Sequence, residues 1–269
     1  MLKIGIIGCG TIGSRIAAYI DGKLKGKAKV TVLSDADGKK AKGLSAKLKA
    51  RPRVASISAM ISSVDLVIEA ASAKVSGDIA RRAVNAGKDV MVMSTGGLLK
   101  DHKALFKLAD KKKSRIYLPS GAICGLDGLK SAKLSGIRKV TLTTRKPPQG
   151  FNGAPYVVKH NIDLGKIKSE RVLFEGDALK AMEGFPANIN VAATLSLCGI
   201  GPEKTKVKII ASPSIKRNIH EIEVEGAFGR LTARTENVPS PGNPKTSYMA
   251  VLSAMATLDG ILEKVKIGT

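Results

Sequence analysis

Tryptophan is absent from this chain of 269 residues, and only five phenylalanines and four tyrosines stand beside 45 lysines and arginines. Proteins that hold single-stranded nucleic acid interleave aromatic rings with positive charge, because bases stack on the rings. So sparse an aromatic set argues against nucleic acid as a partner, although a net charge of +23 attracts polyanions in general. The basic residues are spread from Lys3 to Lys266, and tracts such as Lys111, Lys112 and Lys113 sit inside helical patterns, as solvated helix faces do. Long apolar runs are missing too. No stretch reaches the ~18 residues a membrane helix needs, and the opening MLKIGIIGCG has no cleavage-site pattern behind it, so neither membrane insertion nor export is expected. The three cysteines, Cys9, Cys124 and Cys198, are far apart and free of any CxxC or Cys/His pairing. That excludes a disulfide framework and a structural zinc, so no metal is expected and the cytoplasm is the expected compartment.

What is present is ordinary globular composition, 43% apolar and 25% charged, at a length that suits one large or two modest domains. LKIGII at 2–7, KVTVLSD at 29–35, VDLVIEAAS at 64–72, DVMVMST at 89–95 and RIYLPSG at 115–121 are strand-like and alternate with helical patterns. This alternation predicts a doubly wound parallel sheet, a Rossmann-type α/β domain over 1–120. Beyond it the texture changes. VTLTTRK at 140–146, RVLFEG at 171–176, KVKIIASP at 206–213 and HEIEVEGAFGRLTART at 220–235 have the period-two patterns of antiparallel strands with one wet face. A second, mixed α/β domain over 121–242 is expected, with NINVAATLSLCGIG at 188–201 as a buried helix and 147–169 as a surface loop. In the last segment, 243–269, Asn243 and Pro244 form an N-cap and first-turn pair; Tyr248, Leu252, Met255, Leu258, Leu262 and Val265 then recur at helical spacing, a helix expected to pack back on the first domain.

Gly8-Cys9-Gly10-Thr11-Ile12-Gly13 is a GxGxxG string that follows a strand, opens a helix and is followed 22 residues after Gly13 by Asp35 at the end of the next strand. In that context its glycines let the backbone approach a pyrophosphate, and the helix N-terminus offers N–H groups. Asp35 can accept from the adenosine ribose hydroxyls, as NAD requires, while Lys39 and Lys40 just beyond it can turn toward the 2′-phosphate of NADP. Such folds place the reactive ring outside the carboxyl ends of the strands. Candidate contacts there are Ala70, Ala71 and Ser72, then Ser94 and Thr95, then Ser120, Gly121 and Ala122.

Three histidines make the search for a proton carrier short. His102 at a helix start and His160 in a polar segment are expected at the surface, whereas His220 shares a face with Ile222 and Val224 and points inward. A lone histidine on an apolar face is commonly a satisfied core residue, but a dinucleotide enzyme needs a group that titrates near neutrality, which favours His220. Cys124, after PSGAI, offers a competing mechanism as a thiolate attacking an aldehyde.

The blocks GIIGCGTIG, IEAAS, STGGL, PSGAICGLDG, LTTRKPP, FPANINVAATLSL, NIHEIEVEG and NPKTSY together resemble the archaeal and bacterial NAD(P)-dependent L-aspartate dehydrogenase family, over nearly the whole chain. The resemblance implies a substrate domain whose sheet makes a homodimer contact, and His220 in NIHEI as general acid/base. It further implies that Asn190 contacts cofactor and substrate, that Ala192 lines the substrate pocket, and that Lys245 in NPKTSY lies near it. The implied substrates are L-aspartate, or oxaloacetate and ammonia in reverse, with iminoaspartate feeding NAD biosynthesis. Three departures stand out: the segment 151–169 looks long, the +23 charge with so few aromatics is unusual, and Cys124 sits where the family can have glycine. Other readings are another Rossmann oxidoreductase, acting on aspartate semialdehyde through Cys124 or on a cyclic imine, and a non-enzymatic basic module that binds nucleotide or nucleic acid.

Overall fold

The computed structural model describes residues 1–186, 189–241 and 243–268, except for the side chains of 244 and 245. The chain forms two compact units: Met1–Pro119 with Ala254–Glu263, and Ser120–Ser253 with the residues after 263.

Among the described residues, unit 1 is built from β1 (Leu2–Ile7), α1 (Thr11–Lys23), β2 (Ala28–Ser34), α2 (Gly38–Lys47), β3 (Arg53–Val54), α3 (Ile57–Ile61), β4 (Leu66–Glu69), α4 (Ala73–Asn85), β5 (Asp89–Val92), α5 (His102–Lys112) and β6 (Ile116–Tyr117). The six strands are parallel in the order β3-β2-β1-β4-β5-β6. The third strand is only two residues long, with no periodic signal in the sequence. Central strands such as LVIE are buried at every position because helices cover both faces, which is why they appear as continuous apolar runs. Ile4, Ile6, Ile16, Ile20, Leu33 and Ile68 form the centre of one core, and Ala254 and Leu258 belong to it. The strand order reverses between β1 and β4, the topological switch point where doubly wound sheets bind ligands.

Unit 2 contains α6 (Leu126–Lys133), β7 (Ile137–Lys146), α7 (Pro155–Lys159), β8 (Arg171–Asp177), α8 (Ala178–Gly184), α9 (Asn190–Cys198), β9 (Lys206–Ala211), β10 (Asn218–Gly226), β11 (Gly229–Asn237), β12 (Pro239–Ser240) and β13 (Asn243–Ser247). Its main sheet has the order β11-β10-β7-β9-β8. The β7–β9 pair is parallel and the other three pairs are antiparallel, so the all-antiparallel expectation is corrected: alternation records a half-buried strand, not its direction. On the inner face Leu142, Thr144, Val207 and Ile209 meet Ala181, Phe185, Ile189 and Ala192 around a cavity of about 10 Å³, room for at most one water.

Two further expectations fail. The segment 147–169 is not simply a surface loop, because Phe151, Val157 and Ile167 are buried and Phe151 meets Phe185 edge to face. Asn243 and Pro244 do not open a helix. Asn243–Ser247 is β13, paired with β12, and α10 runs over Tyr248–Leu262 with its first N–H bonded to the Val238 carbonyl. Within α10 the buried stripe is Val251, Ala254 and Leu258, while Leu252 is exposed and Val265 lies beyond the helix. Among the described residues no helix is long and apolar enough to cross a membrane.

Candidate active site

In unit 1 the chain leaves β1 through Gly8, whose φ of +96° belongs to the left-handed region that favours glycine. A Cβ there would press on the Ala70 carbonyl and lie 2.7 Å from the Ala71 nitrogen, so the glycine turn and the turn after β4 touch backbone to backbone. A Cβ on Gly13 would collide with the Gly8 carbonyl oxygen, which makes glycine necessary where α1 crosses its own entry turn. Gly10 is different. It caps α1 without a side-chain hydrogen bond, and nothing lies within 4 Å of a Cβ built on it. The approach to the start of α1, with Thr11 and Ile12 in its first turn, is therefore open to a phosphate. Two glycines close the turn and one clears the ligand side, a cradle that fits a dinucleotide pyrophosphate.

Asp35 does more than wait for a ribose. Its Oδ2 accepts from the Cys9 N–H at 2.6 Å and its Oδ1 from the Asp37 N–H at 2.8 Å, tying the glycine turn to the end of β2. Each carboxylate oxygen keeps a further lone pair for a hydroxyl. Burial, with the Asp35 charge beside it, pushes the Cys9 thiol up to about 11, so Cys9 stays protonated.

The strand-end candidates are organised by a residue that sequence reasoning passed over. Glu69, fully buried at the end of β4, accepts from the Ala71 N–H at 2.8 Å and from the Ser94 N–H at 2.9 Å. Burial pushes its carboxyl up, against the pull of the Ser94, Ala71 and Ser72 donors. One side chain thus joins the turns after β4 and β5, leaving Ala71 and Ser72 exposed and Ala70 half-buried, while Ser94 and Thr95 are buried. The Ser76 hydroxyl donates to the Ser94 carbonyl at 2.8 Å and fixes the second turn against α4. An acid closing an otherwise apolar strand was the available signal for Glu69.

In unit 2, β10 and β7 pair so that His220 stands opposite Thr144, and His220 Nδ1 is 3.0 Å from Thr144 Oγ1. His220 is buried on the same face as Ile222 and Val224. Burial, and secondarily the charge of Lys146, lowers its pKa to about 3, so in the unliganded protein the imidazole is neutral but a weak base, well below the near-neutral titration expected of it from sequence. A hydroxyl either donates to or accepts from Nδ1, so the contact with Thr144 admits both ring tautomers. Lys146, two residues beyond Thr144 on the same face, is itself lowered to about 8 by burial. Neither Thr144 nor Lys146 was singled out from sequence, although the alternation that turns His220 inward applies equally to β7.

Of the remaining candidates in unit 2, Ser120 is half-buried and Gly121, at φ +67°, donates its N–H to Ser253 Oγ at 3.0 Å. The Ala122 carbonyl accepts from Thr235 Oγ1 at 2.8 Å and Asn237 Nδ2 at 3.0 Å, which pins this segment to β11. Asn190 begins α9 and is exposed, whereas Ala192 is buried and lines the apolar cavity beside Thr144. The side chain of Lys245 lies outside the described residues. His102 Nδ1 donates to the Leu99 carbonyl at 2.7 Å, and His160 is exposed against Tyr156.

Comparison with known proteins decides the family. A family model described as aspartate dehydrogenase, C-terminal, matches residues 127–261, and one described as homoserine dehydrogenase, NAD binding domain, matches 8–119. The chain is 53% identical to an L-aspartate dehydrogenase of Methanosarcina mazei and 42% identical to one of Methanocaldococcus jannaschii, covering 100% of each chain. The chain belongs to the L-aspartate dehydrogenase family. A crystal structure of aspartate dehydrogenase from Thermotoga maritima superposes with a TM-score of 0.77 at 27% identity, with full coverage of both chains. Within this family setting the glycine turn of unit 1 is part of an NAD-binding domain, and the protein is an oxidoreductase. The covalent alternative loses ground on geometry. Cys124 is exposed, and among the described residues its thiol has one polar contact, the Arg234 carbonyl at 4.0 Å.

Proposed function

We propose that this protein oxidises L-aspartate with NAD or NADP to iminoaspartate, which water converts to oxaloacetate and ammonia, and that it also runs the reverse reductive amination. The observation that carries the reading is a buried imidazole held neutral on a sheet face, in a chain whose family relatives are L-aspartate dehydrogenases. The nicotinamide supplies the hydride acceptor for the substrate Cα. The protein's own work is orientation and proton handling. An α-ammonium cannot release hydride from its Cα until it gives up a proton, and neutral His220 can take it through the ring nitrogen not engaged with Thr144. The substrate's two carboxylates bring negative charge toward the imidazole and raise its proton affinity on binding. In unit 1 the start of α1 would hold the pyrophosphate, Asp35 the ribose, and the turns tied by Glu69 the nicotinamide end. Ser120, Gly121, Ala122 and Asn190 remain the residues of unit 2 proposed for the cofactor, and Asn190, Ala192 and Lys245 those proposed for the substrate.

The same reading includes a homodimer, cytoplasmic residence and iminoaspartate as a feed for NAD biosynthesis. The dimer rests on the family resemblance, which implies a contact through the sheet of unit 2. Initial rates with L-aspartate, D-aspartate, glutamate, malate and aspartate semialdehyde, each with both cofactors, test the activity. Reduced cofactor formed with L-aspartate above all others is expected, and semialdehyde oxidation blocked by iodoacetamide would overturn it. Light scattering on the eluting protein tests the dimer.

A further inference from the structure

Lys146 closes β7 at the point where Pro147 and Pro148 stop the strand. The ladder persists to its last residue, since the Ser212 N–H donates to the Lys146 carbonyl at 2.9 Å. Register fixes where its side chain goes. Leu142 pairs with Ile222 and Thr144 with His220, so Lys146 is the next residue on that same inner face, diagonal to His220. Diagonal neighbours across an antiparallel pair are roughly 7–8 Å apart at Cα, a span that a lysine stem bridges. Its partner on β9 is Ala211, which takes up little space. On the other side lies Gly150, where a Cβ would stand 3.4 Å from Lys146 Cβ and 3.6 Å from Cδ, at ordinary contact distance. The stem is thus flanked by an alanine and a glycine and stays half-buried, while most of the other 44 cations have water around them. Its charge is felt at His220, where it opposes protonation.

A cation held beside an imidazole that must accept a proton works against that step unless something neutralises it during the reaction. The substrate of the activity proposed above carries two carboxylates, and a carboxylate is what a partly desolvated ammonium pairs with most strongly. We propose that Lys146 binds a carboxylate of the dicarboxylate substrate next to His220, so that substrate binding both anchors the amino acid and removes the charge that opposes proton transfer. The inference rests on the reading that the substrate is a dicarboxylic amino acid, and makes Lys146 a residue that selects for one.

The test uses the intact protein with Lys146→Met and Lys146→Arg, and reads binding as well as turnover. Titration calorimetry with succinate, in the presence of NAD, should give a dissociation constant raised by about 10- to 100-fold in K146M and largely restored in K146R. The KM for L-aspartate should rise by a similar factor with a smaller change in kcat, and NAD affinity should stay within about twofold. A K146M protein that binds succinate as the wild type does overturns the inference, as does one in which only kcat falls. If K146M does not fold, K146R and K146Q replace the pair: succinate binding kept by arginine and lost by glutamine supports the proposal, and equal binding overturns it. A wild type that binds succinate through Lys146 yet never turns over aspartate would sink the reading of the activity and leave the dicarboxylate site standing.

Discussion

The two units offer ligands different material. In unit 1 the groups offered to a ligand are main-chain N–H donors and small residues, and the side chains that matter, Asp35 and Glu69, act by tying turns together. In unit 2 they are two ionisable side chains, His220 and Lys146, on one sheet face with Thr144 between them. A site of backbone tolerates most substitutions except where a Cβ or a lost tether moves the chain. A site of side chains depends on single atoms. Damage in unit 2 should therefore strike turnover and substrate binding, and damage in unit 1 should strike cofactor affinity.

The largest effect is expected from His220→Asn. Asparagine keeps some hydrogen bonding but carries no proton, so turnover should fall by on the order of 10² to 10⁴ while NAD affinity holds. The substitution also has a signature in stability. The folded pKa of His220 is near 3 and the unfolded value near 6.5, so between them the unfolded chain binds the extra proton and wild-type stability declines as pH falls through that window. H220N should lack this component of the acid slope in melts from pH 7 to 4. Near wild-type turnover, or loss of NAD binding instead, would return His220 to a core histidine and dissolve the contrast between the halves.

Next is Gly13→Ala. The added methyl would collide with the Gly8 carbonyl, and relieving such an overlap costs about 1–3 kcal/mol. Because the shift falls on the turn that cradles the pyrophosphate, the NADH dissociation constant read by fluorescence should rise roughly 10- to 100-fold, an estimate from the same range. Succinate affinity in unit 2 should not follow. If it does, the halves are coupled and the comparison must be redrawn.

How much of each half was legible follows from the same difference. Glycines, the helix start and the strand-end acid are local signals, so the cradle of unit 1 could be located residue by residue. His220 could be placed because alternation alone sends it inward. Lys146 obeys the same alternation, yet lysine is so often solvated that a chain rich in it hides the one packed against Gly150. Glu69 was hidden by its neighbours, since a buried acid is recognisable only when the N–H groups of Ala71 and Ser94 are seen to converge on it. At Asn243 and Pro244 the local helix-start signal lost to pairing with β12, a tertiary choice that no local pattern records. Phe151 and Val157 were hidden in the same way, in turns too short to show a period.

Asp35→Ser sharpens the cofactor half. The carboxylate holds the Cys9 and Asp37 N–H groups as well as the expected ribose position, so serine should loosen the glycine turn and weaken both cofactors. NAD should suffer more, by about tenfold for a lost hydrogen bond to a charged acceptor, because for NADP the loss is offset by relief of repulsion with the 2′-phosphate. An equal loss for NAD and NADP would leave Asp35 a tether of the turn and take it out of the ribose site.

The smallest effect should come from Cys124→Ser, and its smallness is informative. If hydride leaves directly from the amino acid, no thiolate is needed, and among the described residues the exposed Cys124 has only the Arg234 carbonyl, at 4.0 Å, as a polar contact. Serine is nearly isosteric and keeps a donor, so aspartate turnover should stay within about twofold and the melting temperature should hardly move. Iodoacetamide provides the complementary measurement, since a bulky adduct at an exposed thiol need not abolish turnover when the sulfur takes no part in it. A C124S enzyme that folds, binds NAD and still loses turnover by three orders of magnitude would mean that bond-making in unit 2 runs through sulfur. His220 would then be the base that activates the thiol, and the neutral imidazole found on the sheet face would serve covalent chemistry in place of direct amine deprotonation.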